Sequence, residues 1–585
     1  MFKLSPELLK VESESEELDF EVKHFREAEI DYFKILIEAE KKIDFPEVTL
    51  SFFYPFVDIQ SVWHPGAGRD KSIAADWEDG FAAKAASLAP VITFLSQNDQ
   101  NRLTLAYSEA METVRFKMGV NEESGCLNCR IILFTQPSKK RSHYQAVLRV
   151  DTREIPYYQA IKDISAWYEE LDGYKPAPVS AAAKEPMYSS WYSFHQNLKA
   201  AEIEKEARKA KEFGCEAVIV DDGWQTVDNN RGYAYCGDWE AAESRIPDMK
   251  KHVEKIHKMG LKYLLWYSVP FVGIHSKAWP RFKDKLLFYA EARDAGILDP
   301  RYPEVREYLV ETYKSAVRDW NLDGLKLDFI DQFAYEKESE LKVEPEMDIE
   351  SLDQAVDRLM FNIRENLQQL NPEIMIEFRQ KYIGPYMRKY GNIFRVNDCP
   401  GDAVTNRVGT IDLRLLAGET AVHSDMLMWD PEASAASAAL QLLNVLFAVP
   451  QFSMKLSQLS EKHLAVAEFW LGFWKKYKEV LLEGKLKAFS PAHLYPLISS
   501  ENDQQKIIAV YDKMLVQPGK NLPPELILVN ATLNEELVLD LETEFKDKNL
   551  KIYNSQGKLM ENKKINLEKG LHKIEVPPSS CLIFK

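Results

Sequence analysis

Gly324-Leu325-Lys326-Leu327-Asp328-Phe329, followed by Ile330-Asp331-Gln332, reads as a short buried strand with a cation and a carboxylate set into it. Strand propensity disfavours both Lys and Asp. A buried charge is costly unless it is paired or hydrogen-bonded. Lys326 and Asp328 are two positions apart, so both point to one face. Such a pair at the end of an apolar strand marks either a functional site or a structural ion pair, and the stretch alone does not separate the two.

Outward from this stretch, strands and helices alternate. Candidate strands fall at 187–194, 216–222, 261–268, 324–329, 374–378, 393–397, 420–423 and 445–449. Between them lie amphipathic segments at 198–213, closed by Gly214, and at 249–259, closed by Gly260, with further helices at 303–320 and 348–370. Glycine after the last periodic residue is a helix stop signal. Strands alternating with helices mean parallel βα units, and eight of them over this length fit a closed (β/α)8 barrel. The rival, an open doubly wound sheet, usually carries a Gly-rich phosphate turn after its first strand, which is not found here.

On either side the rhythm is different. Residues 1–182 contain short β-rich runs separated by turn signals, which favour a sandwich, and end in the Pro- and Ala-rich stretch 175–184, read as a linker. Alternating runs return beyond Gly484. The expected architecture is multidomain: a large N-terminal β-sandwich with linker (1–182), a central (β/α)8 TIM barrel (183–483) and a small C-terminal antiparallel β domain (484–585). Within the first part, Trp63 to Gly68 and Asp76-Trp77-Glu78 are aromatic loops, read as loop packing or as a rim reaching a neighbouring pocket.

The chain has 585 residues, too many for one hydrophobic core. Its net charge of -17 argues against nucleic acid or an anionic membrane as partner. No apolar run of about 18 residues predicts a membrane span, and the acidic N-terminus lacks a signal-peptide core. Six cysteines, with only Cys126 and Cys129 close together, make neither a disulfide scaffold nor a complete zinc site. A cytoplasmic protein without cofactor or metal is expected, and a homo-oligomer is compatible with the sequence. His423 with Asp425 and Asp398 is the nearest thing to a metal set. His252 and His257 are five apart on a helix and are read as solvent-exposed.

In such barrels functional residues sit at the C-terminal ends of the strands. Here those ends carry Asp221-Asp222 before Gly223-Trp224, then Trp266, Lys326 and Asp328, Glu377 and Arg379, Asn397-Asp398 with Asp402, and His423 with Asp425. One acidic strand end can be a helix N-cap; many on one rim point to a site. Carboxylates accept bonds from sugar hydroxyls, Trp packs on the apolar face of a sugar ring, and two facing carboxylates can do acid/base and nucleophilic work. Trp224 and Trp266 read equally as pocket lining or barrel packing.

These residues also carry a family resemblance. Asp221-Asp222-Gly223-Trp224, Gly237-Asp238-Trp239 and Arg245-Ile246-Pro247-Asp248-Met249 resemble the motifs of the retaining α-galactosidases of glycoside hydrolase family 36, the melibiase group. Lys326-Leu327-Asp328 resembles that family's K-x-D motif, and Asn397-Asp398 with Asp402 and Arg407 its S-D-x-x-x-D segment. The resemblance covers about residues 186 to 483. It implies Asp328 as nucleophile and Asp398 as general acid/base, with Asp398's pKa raised by burial or by carboxylates such as Asp402. Asp221, Asp222, Trp224, Trp266, Lys326 and Asp402 are the expected substrate-binding residues, with Arg379 added from a segment that departs from the family. It implies an exo-acting α-glycosidase acting on an oligosaccharide or glycoside. Transglycosylation, α-glucosidase-like or α-N-acetylgalactosaminidase specificity, and a sugar-binding protein without catalysis remain alternatives. The family's Cys-Ser-Gly-Gly-Gly loop is replaced by Glu377 to Pro385, which puts Arg379 within reach of the pocket.

Overall fold

The structure, a computed structural model, describes residues 6–136, 139–335, 343–379 and 381–585. Eight parallel strands run in chain order: β1 (Met187–Ser189), β2 (Ala217–Val220), β3 (Lys262–Ser268), β4 (Gly324–Asp328), β5 (Met375–Arg379), β6 (Ile393–Arg395), β7 (Ala421–His423) and β8 (Gln451–Phe452). β8 pairs with β1, and bridges from His423 to Val449 and from Leu427 to Phe452 complete the ring. The expected barrel is therefore present.

The last strand is displaced from its expected position. Val445 to Val449 continues in turns from the helix Ala435–Asn444, and the two-residue strand lies beyond Pro450. A short apolar run does not distinguish a buried helix end from a buried strand. The first strand also ends early, because Trp191–Phe194 turns into a helix.

Inside the base of the barrel, Met187, Ala217, Ile219, Leu264, Met375, Ile393 and Ala421 form a separate small core. Ala183 inserts into it, so the linker plugs the barrel rather than simply spanning a gap. Above this apolar layer the inward positions become polar. Trp266 pairs with Lys326, Lys326 with Glu377, and Arg379 with Arg395 in register.

The N-terminal region is a sandwich of a five-stranded and a six-stranded sheet, with burial alternating strictly along Cys126–Leu133 and over residues 31–37 of the strand Ile30–Ile43. Phe33, Ile35, Leu50, Phe52, Leu105 and Leu127 fill the space between them. The C-terminal sheets are mainly antiparallel, with Gln505–Val510 and Glu525–Asn530 side by side in parallel. The Trp63 loop is packed rather than open. Trp63 Nε1 and Lys71 Nζ each lie 2.7 Å from the carboxylate of Asp412 on a barrel helix, and Tyr495 of the C-terminal region donates to the same group.

Two smaller expectations fail. His252 is 2% exposed, with Nδ1 2.9 Å from Glu204, and His257 binds Asp323 at 2.7 Å. Instead of the solvent exposure their spacing predicts, each faces a carboxylate from a neighbouring element. The segment after β3 also makes an unexpected three-stranded sheet: Phe271–Gly273, Leu286–Ala290 and Ala295–Leu298.

Candidate active site

β4 ends in Asp328, and Phe329 follows with φ 64°, which breaks the strand and turns the chain away. The Asp328 carboxylate accepts bonds from Arg379 Nε at 2.7 Å, from the Phe329 amide at 2.8 Å and from Trp266 Nε1 at 3.2 Å. Burial alone would raise its pKa. Arg379 first, and Lys326 behind it, outweigh that and hold the group at about 2. Asp328 is thus an anion across the neutral range. Lys326 does not touch it directly. Its ammonium is buried and donates to Asp221 at 2.6 Å.

Arg379 links Asp328 to the next loop, since its Nη1 donates to Asn397 at 3.0 Å. The neighbouring residue, Asp398, accepts from Arg395 Nη2 at 2.9 Å, and its side chain is 41% exposed. The expected upward shift of Asp398 is not found. Partial burial pushes its pKa up, but Arg395, then Lys326 and Arg379, pull it below the ordinary value. Asp402, the carboxylate expected to raise it, faces elsewhere. It caps the helix Ala403–Leu416, accepting from the Thr405 amide at 3.0 Å, and pairs with Arg69 of the N-terminal region at 3.3 Å. Asp402 is therefore a helix cap at the rim rather than a pocket contact.

β2 delivers Asp221 and Asp222, both 2% exposed. Asp222 accepts from Gln196 and Gln225, each at 2.7 Å. Burial dominates over these amide bonds and lifts its pKa to about 6. Gly223 follows with φ 109°, and a Cβ there would come within 2.5 Å of the Gln196 backbone. Trp266 reaches the site through its indole N–H. Trp224 does not: it is fully buried, donates to the Trp266 carbonyl at 2.9 Å and packs on Trp239, Tyr267 and Trp320. It braces the wall from behind.

Sequence reasoning missed Arg395, Gln196, Tyr192 and Tyr233. Arg395 lies under the site, 2.6 Å from Asp425, whose other oxygen accepts from Tyr192 at 2.9 Å. A charged residue inside a buried strand was the available signal, the same one that marked Lys326. Tyr233 stacks towards Trp266 and meets Phe329 edge-on at 5.1 Å, but it comes from a loop without periodicity. His423 is committed to the Ala183 carbonyl at 2.7 Å and to Gln451, and burial brings its pKa to about 4. Among the described residues there is no group of three or more His, Cys, Asp or Glu placed to hold a metal ion.

Fold and site together define a (β/α)8 barrel with paired carboxylates at the C-terminal ends of its strands, flanked by β-sandwich regions. Residues 158–380 match the Melibiase family model. That segment, which holds β1 to β5, is similar to the Melibiase family. The α-galactosidase AgaA of Geobacillus stearothermophilus is 24% identical over 180 residues, 29% of this chain and 24% of that protein. The α-galactosidase Mel36A of Lactobacillus acidophilus is 24% identical over 154 residues, 25% of this chain and 20% of that protein. The aligned stretch thus spans a quarter or less of either relative. The solved structure of an AgaA variant with 1-deoxygalactonojirimycin superposes with TM-score 0.66 at 16% identity, over 97% of this chain and 81% of that one. Further AgaA variants were solved with stachyose and with raffinose. At these identities the likeness shows the fold.

Proposed function

We propose that this chain is a retaining, exo-acting α-glycosidase, α-galactosidase-like in its chemistry. The observation that carries the proposal is Asp328. It is a carboxylate at the C-terminal end of a barrel strand, held ionised by Arg379, with a second carboxylate, Asp398, on the loop that Arg379 also grips.

Asp328 attacks the anomeric carbon. The bond to the leaving oxygen breaks as the ester bond forms, and Asp398 gives its proton to that oxygen. Asp398 then takes a proton from water, which opens the ester and regenerates both groups, with net retention. Arg395 keeps Asp398 ionised in the ligand-free chain. A bound sugar covering its exposed face strips away water, and that raises its proton affinity. Asp221, Asp222 and Lys326 are placed to bond ring hydroxyls, with Trp266 beside them.

The stachyose and raffinose complexes of AgaA support an oligosaccharide or glycoside as substrate. Six free cysteines support a reducing, cytoplasmic location, and no helix among the described residues is long and apolar enough to cross a membrane. The chain is proposed to divide near residues 182 and 483.

The test is Asp328→Ala on a panel of nitrophenyl α-glycosides. Turnover should be abolished, and azide should restore it with a glycosyl azide of inverted anomeric configuration. Full activity without azide would overturn the proposal.

A further inference from the structure

Two arginines lie against one aromatic ring beside Asp328. The guanidinium carbons of Arg379 and Arg293 are each 5.1 Å from the centre of Phe329. Arg293 ends the short helical turn Glu291–Arg293 between two strands of the small sheet after β3, 5.1 Å from Phe271 and 5.8 Å from Tyr233. Contact with ring faces offsets part of the desolvation of a guanidinium but leaves its N–H donors unused. Among the described residues, no carboxylate lies within ion-pair distance of Arg293. Arg231, whose amide bonds Gln196, also has no carboxylate within ion-pair distance among the described residues: its Nη2 meets the His195 ring at 3.0 Å and its guanidinium lies 5.8 Å from the centre of Trp191. Arg293, against Phe329 beside Asp328, is thus a cation without a carboxylate partner at the candidate site.

Once Asp328 has formed the glycosyl ester it carries no charge, and the carboxylate left ionised near Arg379 is Asp398, which has given up its proton and is gripped by Arg395. Among the described residues, Arg293 has no carboxylate partner at either stage. A sugar that brings its own anion gives it one through a charge-assisted bond; a neutral sugar does not.

We propose that Arg379 and Arg293 select α-glycosides whose bound sugar carries an anionic substituent, a carboxylate or a sulfate ester. The inference rests on the glycosidase reading above and narrows its substrate class. A charge-assisted bond to each anion sets the expected scale, about ten- to a hundredfold in kcat/KM.

The experiment compares nitrophenyl α-galactopyranoside with the matching uronide and with ring-sulfated galactosides on the full chain. At least one anionic substrate should be preferred by about ten- to a hundredfold, and which one identifies the group. Arg293→Gln and Arg379→Lys should each narrow the preference. The inference is overturned if the uncharged galactoside matches or exceeds every anionic substrate; the glycosidase reading then still stands. If no substrate of either kind is hydrolysed, the glycosidase reading fails, and calorimetry with galactose, galacturonate and galactose sulfate decides the inference. Galactose binding at least as tightly as both anions overturns it, and tighter binding of an anion supports it.

Discussion

Arg379 and Arg395 stand side by side in register on neighbouring parallel strands, and each gives its guanidinium to a different candidate carboxylate. Arg379 holds Asp328; Arg395 holds Asp398 and, beneath it, Asp425. The two arginines therefore set the charge state of both groups before any sugar arrives.

The first consequence concerns Arg379. Removing its charge in Arg379→Gln takes away the main influence that keeps Asp328 at about 2 against burial. As the proposed nucleophile Asp328 must be ionised, so the acid limb of kcat/KM should move to higher pH. At neutral pH the loss should be about ten- to a hundredfold, the scale of a hydrogen bond to a charged group. Arg379→Lys should keep the limb low. Matched pH–rate profiles check this, and an unmoved limb in Arg379→Gln counts against the clamp.

Asp222 gives a second, separate limb. Burial lifts its pKa to about 6, so it is an anion above that value and loses its charge as pH falls through it. A hydroxyl held by the carboxylate is then held less well. The wild-type chain should lose kcat/KM below about pH 6, mostly through KM. Asp222→Asn should flatten that limb and raise KM at neutral pH by about tenfold.

For Asp398 the diagnostic is the leaving group. Asp398→Ala should retain most activity on aryl glycosides with acidic phenols, which need little proton assistance, and should lose about a hundredfold or more on alkyl glycosides. Equal losses on both kinds, measured as kcat/KM, contradict an acid role.

Gly223→Ala probes the wall behind Asp222. With φ at 109° and a new Cβ 2.5 Å from the Gln196 backbone, either the turn or Gln196 must shift. A cost of about 1–3 kcal/mol is expected from strain and overpacking. Because Gln196 bonds Asp222, KM should rise with it. Denaturant midpoints and KM on the same samples check both.

Much of this was legible in the residues, for physical reasons. Lys326 and Asp328 could be found because charge inside an apolar strand needs an explanation. Their two-residue spacing then fixed a common face. Asp221 and Asp222 followed from their place at a strand end. Arg395 obeys the same rule as Lys326, yet Asn397-Asp398 beside it drew the attention. Trp224 and Asp402 show the opposite limit. A tryptophan next to a site can face it or brace it, and an acid at a helix start can bind a ligand or cap the helix. Only packing separates those cases. The charge state of Asp398 was misjudged because it depends on Arg395 and Arg379, whose reach is a matter of tertiary geometry. The eighth strand was misplaced because two residues of strand leave no periodicity to read.

Asp412 ties the outer regions to the barrel. Trp63 and Lys71 approach its carboxylate from the N-terminal sandwich and Tyr495 from the C-terminal region, in a place closed to water. Peeling the N-terminal flank away takes Lys71 and Trp63 from a buried carboxylate on a barrel helix, a penalty of about 3–5 kcal/mol for a broken buried pair, and peeling the C-terminal region away takes the Tyr495 hydrogen bond. The flanks are therefore not detachable modules. Heating should melt all three regions in a single calorimetric peak. An exchange of sandwiches between relatives would have to carry this helix along, so the unit that is inherited is the whole assembly rather than the barrel alone.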